Sequence, residues 1–208
     1  MHEATKHHEK LLRKLVLSFI DYPEELRIKT VEIKSVGTTR PGVFFAMQVH
    51  QADFGKTLGK QASHIKALQY LMYELGESIG HDYRLKLEES IKGERMAPWA
   101  RNKPVSNVDV PSACAFLKSI VLALFAWPET GTGLTVIPRY TGPSEITLDI
   151  DPVTLEGYEN LTVAYDDDEF DQTSIAALGT LFRAYGQKEG VRFRLQVLEP
   201  KPVPSSGK

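Results

Sequence analysis

The sequence predicts an α+β protein made of two similar halves, each a three-stranded sheet with helices packed on one face. Three observations lead to this prediction. Apolar residues recur at helical spacing in two long segments of each half, and period-2 alternation marks strands between and after those segments. The same order of elements then recurs about 105 to 110 residues later.

The first half is predicted to contain six elements in the order helix, strand, strand, short helix, helix, strand. Its opening helix places Leu12, Val16 and Phe19 on one face and ends at a corner formed by Pro23. A loop separates the two early strands at 36–42. The predicted bounds of the six elements are about 5–21, 26–35, 43–51, 53–58, 62–77 and 82–89.

The second half repeats this apolar pattern at a shifting offset. Leu117 lies 105 residues after Leu12, whereas Gly186 lies 110 residues after Gly76. A diverged tandem duplication produces ordered matches of this kind. The sequence leaves open which two of three strand-like patterns replace the early strands of the first half. These patterns occur at 133–139, 144–151 and 161–165.

The same patterns predict the domain organisation. We expect a first domain at 1–90, a basic, proline-containing linker at 91–110, a second domain at 111–199 and a disordered tail at 200–208. Trp99 lies among the basic residues of the linker. The favoured interpretation is a solvated connector with Trp99 packed against a domain, and the alternative is a contact with nucleic acid through stacking and phosphate pairing.

The formal net charge of −2 hides an asymmetry between the halves. Residues 1–105 carry 17 basic and 13 acidic side chains, a net charge of +4. Residues 106–208 carry 8 basic and 14 acidic side chains, a net charge of −6. A split of this kind predicts two domains with different electrostatic tasks.

Composition and motifs argue against several classes of protein. The single Cys114 excludes an internal disulfide framework and a CxxC metal site. No apolar run approaches the roughly 18 residues of a membrane span, and the N-terminal sequence lacks the apolar core of a signal peptide, so we expect a cytoplasmic protein. Motifs of the GxSxG, Walker A, HExxH and Rossmann types are absent. His2, His7 and His8 are interpreted as solvated residues rather than metal ligands.

Residues 58–66, LGKQASHIK, place a glycine-containing turn before a predicted helix. Glycine allows close approach of another molecule, and a helix start presents free N–H groups that suit a phosphate oxygen. Lys56 and Lys60 add positive charge, and Ser63 is expected to be the N-cap of the helix. The segment therefore suits contact with a phosphodiester backbone.

The stretch DFGKTLGKQASHIKAL resembles the signature of the K-homology (KH) domain, in which a GXXG loop joins two helices. The element order resembles the type II arrangement, and residues 11–89 resemble the small bacterial KH-domain RNA-binding proteins of the KhpA type. The resemblance implies binding of single-stranded RNA, about four nucleotides per domain, without metal or cofactor. It also implies a role in post-transcriptional regulation or RNA chaperoning in a bacterial cytoplasm.

Carried over by position, the resemblance implies eight RNA-binding residues. Five face the phosphates, and three are their neighbours in the groove. The first group is Lys56, Gly59, Lys60, Gln61 and Ala62, and the second is His64, Ile65 and Arg40. No nucleophile and orienting group accompany His50 or His64 at the groove, so no enzymatic activity is expected.

Ala62 stands where the family has its second glycine, and this departure leaves two alternatives. If the position requires a positive φ, alanine destabilises it by about 1 kcal/mol and the loop has lost its function or retains it at that cost. If the position already begins the helix, alanine costs nothing and favours the helix. In both cases alanine is small enough for a phosphate to approach.

The equivalent region of the second half has neither a glycine pair nor a lysine and instead carries five carboxylates at 166–171. It predicts a degenerate KH-like domain that has lost the RNA contact, because carboxylates repel a phosphate backbone. Three interpretations remain: a solvated cap of the next helix, a docking surface for the basic domain or a partner, and a divalent-cation site.

Two further hypotheses follow from this acidic segment. In one, the protein is an interaction module whose KH folds have lost RNA binding, with the acidic half as its contact surface for a partner or a second copy. In the other, much weaker, hypothesis, the carboxylates hold a metal ion for a nuclease.

Overall fold

The computed structural model describes residues 3–33, 40–88, 109–124, 134–142, 144–152, 159, 161–162 and 173–199. Several sequence predictions lie outside the described residues. These are much of the loop at 36–42, nearly all of the linker 91–110 with its Trp99, His2, the acidic run 166–171 and the tail 200–208.

The first half contains the six predicted elements in the predicted order. Strand β2 lies at the centre of its sheet, antiparallel to β1 and parallel to β3. This pairing places Phe45 opposite Thr30 on one side and opposite Leu85 on the other. The elements are α1 (Glu3–Leu17), β1 (Arg27–Ile33), β2 (Gly42–Gln48), α2 (Gln51–Leu58), α3 (Ser63–Glu77) and β3 (Asp82–Leu87).

The corner after α1 is held by a buried carboxylate that the sequence patterns did not identify. Asp53 lies in α2 and is fully buried. Its side-chain oxygens accept hydrogen bonds from the backbone N–H groups of Asp21, at 2.9 and 3.0 Å, and of Tyr22, at 2.8 Å. A buried carboxylate requires such donors, so Asp53 fixes the end of α1 next to the start of α2.

The second half also forms a three-stranded mixed sheet. Its central strand β5 is antiparallel to β4 and parallel to β6, as in the first sheet. The strands predicted at 133–139 and 144–151 are confirmed. The elements are α4 (Val110–Leu124), β4 (Thr135–Gly142), β5 (Glu145–Asp151), α5 (Ser174–Glu189) and β6 (Arg192–Val197).

The strand predicted at 161–165 is wrong at its first two residues, and residues 163–165 lie outside the described part of the chain. Leu161 and Thr162 are helical, and Leu161 is fully buried in the core. The prediction failed because a short apolar run does not distinguish a buried strand from a buried piece of helix.

One glycine recurs with the same packing in both halves. A Cβ atom at Gly76 would lie 2.7 Å from the carbonyl oxygen of His81, and one at Gly186 would lie 2.2 Å from that of Val191. In each case the chain turns from the end of a helix into the last strand of the sheet, so only glycine fits. The sequence offset of 110 residues therefore corresponds to equivalent local geometry.

The two halves pack against each other. Helix α3 contacts both α5 and α4, and the buried apolar residues of both halves form one continuous core. The Tyr70 hydroxyl lies 3.5 Å from that of Ser174. The Lys188 ammonium donates a 2.7 Å hydrogen bond to the carbonyl oxygen of Ile20, near the end of α1.

None of the helices in the described part of the chain combines the length and the apolar character needed to cross a membrane.

Candidate nucleic-acid interface

Residues 59–62, here called the glycine loop, connect α2 to α3. Gly59 has φ 74° and ψ 174°, a region that is essentially restricted to glycine. A Cβ atom at this position would lie 2.6 Å from the Cγ atom and 2.7 Å from the backbone nitrogen of His64. The loop therefore requires glycine at its first position for both conformation and space.

The backbone at Ala62 decides between the two alternatives that the sequence left open. Ala62 has φ 62° and ψ 23°, and Gln61 before it has φ 53° and ψ 35°. Both residues are left-handed, so the alternative in which Ala62 already belongs to the helix is wrong. A left-handed conformation destabilises a residue with a side chain by about 1 kcal/mol.

Ser63 is not the N-cap of α3, contrary to the sequence prediction. It has helical φ and ψ angles of −62° and −37°, and the cap position is held by Ala62. The left-handed turn moves the helix start one residue earlier than expected, and Ala62 has no side-chain acceptor. No side chain caps α3, and the Ser63 N–H donates to the carbonyl oxygen of Lys60. An anion at this helix start would therefore meet the positive end of the dipole and the N–H groups that follow Ser63.

The two lysines at the loop differ in their surroundings. The Lys56 ammonium forms an ion pair with Asp21 and lies 4.0 Å from the Asp53 carboxylate. Lys60 and Gln61 are exposed, and Lys60 has no ion-pair partner among the described residues. Lys60 is therefore the better placed of the two lysines to neutralise a phosphate.

His64 and Ile65, in the first turn of α3, support the glycine loop. The His64 Nδ1 atom lies 2.6 Å from the carbonyl oxygen of Lys56, which can only accept, so this nitrogen donates. The His64 ring centroid is 5.8 Å from that of Phe19. Ile65 is buried in the core. Both side chains position the loop, and Ile65 has little surface to offer a ligand.

Arg40 is not brought to the glycine loop. Its guanidinium pairs with Glu77 in the last turn of α3, and the hydrogen bond to that carboxylate raises the pKa of Arg40. The glycine loop precedes the first turn of the same helix, which spans 15 residues, or about 22 Å at 1.5 Å per residue.

His50, predicted to flank the groove, is buried at the start of α2. Its ring stacks on Tyr22 with 3.9 Å between centroids, and its Nδ1 atom accepts a 3.2 Å hydrogen bond from the N–H of Ala52. The His50 ring is therefore buried against Tyr22 and is not accessible to a nucleic-acid base.

The second half contributes one wall of the site, which the sequence patterns did not predict. A cavity of about 300 Å³, here called the loop cavity, lies between the glycine loop and α5. Among the residues that the structure describes, three lysines and no carboxylate line it, so this lining is positively charged. The lining side of the first half includes Lys56, Gly59, Lys60 and His64, and that of α5 comprises Ala184, Gln187 and Lys188.

Lys188 is held within this wall, since its ammonium bonds to the carbonyl oxygen of Ile20. The only signal in the sequence was weak: Ala184 and Lys188 are four residues apart and share a helix face. Among the described residues, no group of three or more His, Cys, Asp or Glu side chains is arranged to hold a metal ion.

Known proteins similar to this chain carry one name. A protein from Oceanobacillus iheyensis named RNA-binding protein KhpA is 35% identical over 63 residues, which cover 30% of this chain and 76% of that protein. The protein of the same name from Listeria monocytogenes is 29% identical over 81 residues, which cover 39% of this chain and 99% of that protein. No protein-family model matches the chain.

Proposed function

Since this chain belongs to the KhpA family of RNA-binding proteins, we propose that it binds single-stranded RNA through the glycine loop of a type II KH domain in its first half. The observation that carries the proposal is the uncapped start of α3, behind a loop that requires glycine and beside an exposed lysine. Backbone N–H groups and a lysine at one helix start suit a phosphate oxygen.

The topology of the first half supports this proposal. Its order of helix, strand, strand, helix, helix, strand is the type II order that the sequence resemblance implies. The central strand pairs antiparallel with β1 and parallel with β3. The glycine loop lies between the second and third helices, where the family has its GXXG loop.

We assign different tasks to the loop residues. Gly59 allows a phosphate to approach the backbone, Lys60 supplies charge, and Gln61 supplies a neutral hydrogen-bonding group. Ala62 leaves the N–H groups of α3 uncovered because its side chain is small. His64 and Ile65 hold the loop in place, Lys56 is largely neutralised by Asp21, and Arg40 is not part of the contact.

The second half, in this proposal, is a KH-like repeat without a glycine loop. The shared strand order and the equivalent packing of Gly76 and Gly186 support a duplication with domains at 1–90 and 111–199. The proposed function is binding and not catalysis, because the relatives of this chain are named for RNA binding and not for a reaction. The scaffold hypothesis rests on the acidic run, which lies outside the described residues.

The proposal is tested by titrating a single-stranded RNA of about four nucleotides at two salt concentrations. Binding should weaken with salt, because phosphate contacts release counterions. The double variant Lys60→Glu/Gln61→Glu should abolish binding. A matched control is Lys86→Glu, an exposed lysine in β3 away from the loop, which should bind as wild type does.

Two results would refute the proposal. One is the absence of binding to wild-type protein at low salt. The other is equal binding by the Lys60→Glu/Gln61→Glu variant, with its fold verified by its thermal unfolding curve.

A further inference from the structure

The second half contains a larger cavity at the end of α5 that no part of the proposed function uses. This arginine cavity has a volume of about 830 Å³ and lies where α5 ends and β5 and β6 begin. Within the described part of the chain, Arg183, Arg192 and Arg194 line it, together with a single carboxylate, Glu145. The ionisable side chains of the lining thus have a net charge of +2.

The arginine cavity concentrates positive charge although the second half as a whole has a negative net charge. Residues 106–208 have a net charge of −6, yet four of their eight basic residues lie at 183–194. The arginine cavity lies at the end of the 16-residue helix α5. The acidic run 166–171, which precedes this helix in the sequence, lies outside the described residues.

The three arginines are available to different degrees. Arg192 is exposed and has no ion-pair partner among the described residues. Arg183 is exposed and oriented, because its guanidinium donates to the Gly179 carbonyl at 3.2 Å and to the Thr180 hydroxyl at 3.1 Å. Arg194 pairs with Glu145 at 2.6 Å. Arg192 and Arg183 therefore retain free donors of the geometry that binds phosphate oxygens.

The arginine cavity adjoins the loop cavity. Gln187 lines both. On α5, Arg183 and Gln187 are four residues apart and share a face, and Ala184 and Lys188 form the adjacent stripe, which faces the glycine loop. The end of α5 thus separates two positively charged cavities by the width of one helix, about 10 Å.

We propose that the arginine cavity is a second phosphate-binding subsite, and that an RNA strand leaving the glycine loop crosses the end of α5 into it. This inference rests on the proposed function. It assigns an RNA contact to the half that lacks a glycine loop, and it makes Arg192 and Arg183 the residues that carry this contact. A cavity of this size, next to the loop cavity and sharing Gln187 with it, fits a chain of nucleotides better than a single free anion.

The experiment uses the full chain and two oligouridylates, one of about four nucleotides and one of about twelve. Wild-type protein should bind the longer RNA more tightly and with a steeper salt dependence. Arg192→Glu should weaken binding of the longer RNA about tenfold or more and leave the shorter one unchanged. The control Lys118→Glu makes the same charge change on the exposed face of α4 and should have no effect.

A second variant, Arg183→Gln/Arg192→Gln, keeps the test valid if reversing the charge at 192 disturbs the edge strand. The inference is overturned if these variants weaken both RNAs equally or neither. It is also overturned if inorganic phosphate or uridine monophosphate binds wild-type protein but not Arg192→Glu while neither displaces the longer RNA, since the cavity would then be a small-anion site that RNA does not enter.

The proposed function fails separately. It fails if Lys60→Glu leaves the affinity for the short RNA unchanged, whatever the arginine variants do. If Lys60→Glu loses binding and the arginine variants have no effect, the proposed function of the glycine loop stands. The assignment of an RNA subsite to the arginine cavity is then refuted.

Discussion

Helices α3 and α5 occupy equivalent places in the two halves but begin in opposite ways. Before α3, Ala62 is left-handed and no side chain caps the helix. Before α5, Thr173 has extended angles of −99° and 159°, and its hydroxyl oxygen accepts a 3.2 Å hydrogen bond from the N–H of Ala176. The first helix start has no side-chain acceptor and pairs the Ser63 N–H with the backbone of Lys60, whereas the second satisfies an N–H group with a side chain.

The comparison shows that the second half differs from a glycine-loop site in more than charge. Removing the carboxylates at 166–171 would leave the Thr173 cap in place, and the sequence 166–172 before α5 contains no glycine. Local backbone chemistry and charge therefore both separate the two halves.

The largest expected effect comes from Gly59→Ala. The added Cβ would lie 2.6 Å and 2.7 Å from atoms of His64, and alanine does not adopt the glycine backbone angles. We expect a loss of about 3 kcal/mol in the free energy of unfolding, measured with urea, and a loss of RNA binding. Gly55→Ala is the matched control, because nothing lies within 4 Å of its added Cβ. It should be neutral or stabilising, since alanine favours a helix.

A second contrast concerns buried titratable groups. The interpretation of His8 as a solvated residue is wrong, because its ring is buried against Tyr83. Glu74 is also buried in the first half, and the positions 105 and 110 residues after these two are the buried Ala113 and Ala184. Burial lowers the pKa of His8 to about 4, with His7 and His81 adding to the effect. Burial raises the pKa of Glu74 to about 7, and one of its carboxyl oxygens has no hydrogen-bond partner among the described residues.

These shifts give opposite pH dependences. Unfolded His8 takes up its proton near pH 6.5, before the folded form does, so its contribution to stability declines as pH falls from 6.5 towards 4. Unfolded Glu74 ionises near pH 4.5, before the folded form does, so its contribution declines as pH rises from 4.5 towards 7. Each shift corresponds to about 3 kcal/mol, and in the native protein the two largely offset each other.

The variant His8→Phe should expose the contribution of Glu74. Its free energy of unfolding, measured with urea, should increase by about 3 kcal/mol as the pH is lowered from 7 to 4.5. Phenylalanine fills the space of the imidazole, and Tyr83 keeps its 3.1 Å hydrogen bond to Thr5. A free energy of unfolding that decreases as the pH is lowered from 7 to 4.5 in this variant would contradict the assignment.

The variant Glu74→Gln should show the reverse. Only the His8 contribution remains, so the free energy of unfolding should decrease by about 3 kcal/mol between pH 6.5 and pH 4. The same urea titrations measure it. The double variant His8→Phe/Glu74→Gln serves as the control and should be nearly independent of pH over this range.

The smallest effect is expected for alanine-to-glycine changes at the two helix starts. Ala62→Gly should stabilise the protein by up to about 1 kcal/mol, because the residue is left-handed, and should preserve RNA binding. Ala176→Gly, at an exposed right-handed position in the first turn of α5, should destabilise it by a similar amount. If both variants changed the free energy of unfolding in the same direction, the backbone difference between the two helix starts would be contradicted.

Helix and strand positions were largely predictable because they depend on local periodicity. The buried faces of α1 and α4, with Leu12 and Leu117 at equivalent places, follow from apolar spacing. The failure at Leu161 and Thr162 has the same origin, since a short, mostly apolar run contains no decisive period.

The site was less predictable because its geometry is tertiary. The left-handed angle of Ala62 depends on how α2 and α3 are joined, and the roles of Asp53 and Lys188 depend on contacts across the chain. Arg40 was assigned by position alone, and the length of α3 separates it from the loop.

The central claim is that RNA contacts the uncapped start of α3 and not the capped start of α5. The most direct test follows the backbone amide resonances of residues 59–65 and 173–177 while a single-stranded RNA of about four nucleotides is added. The account predicts shifts in the first set and none in the second. Binding that leaves residues 59–65 unshifted, or that shifts both sets equally, would contradict it.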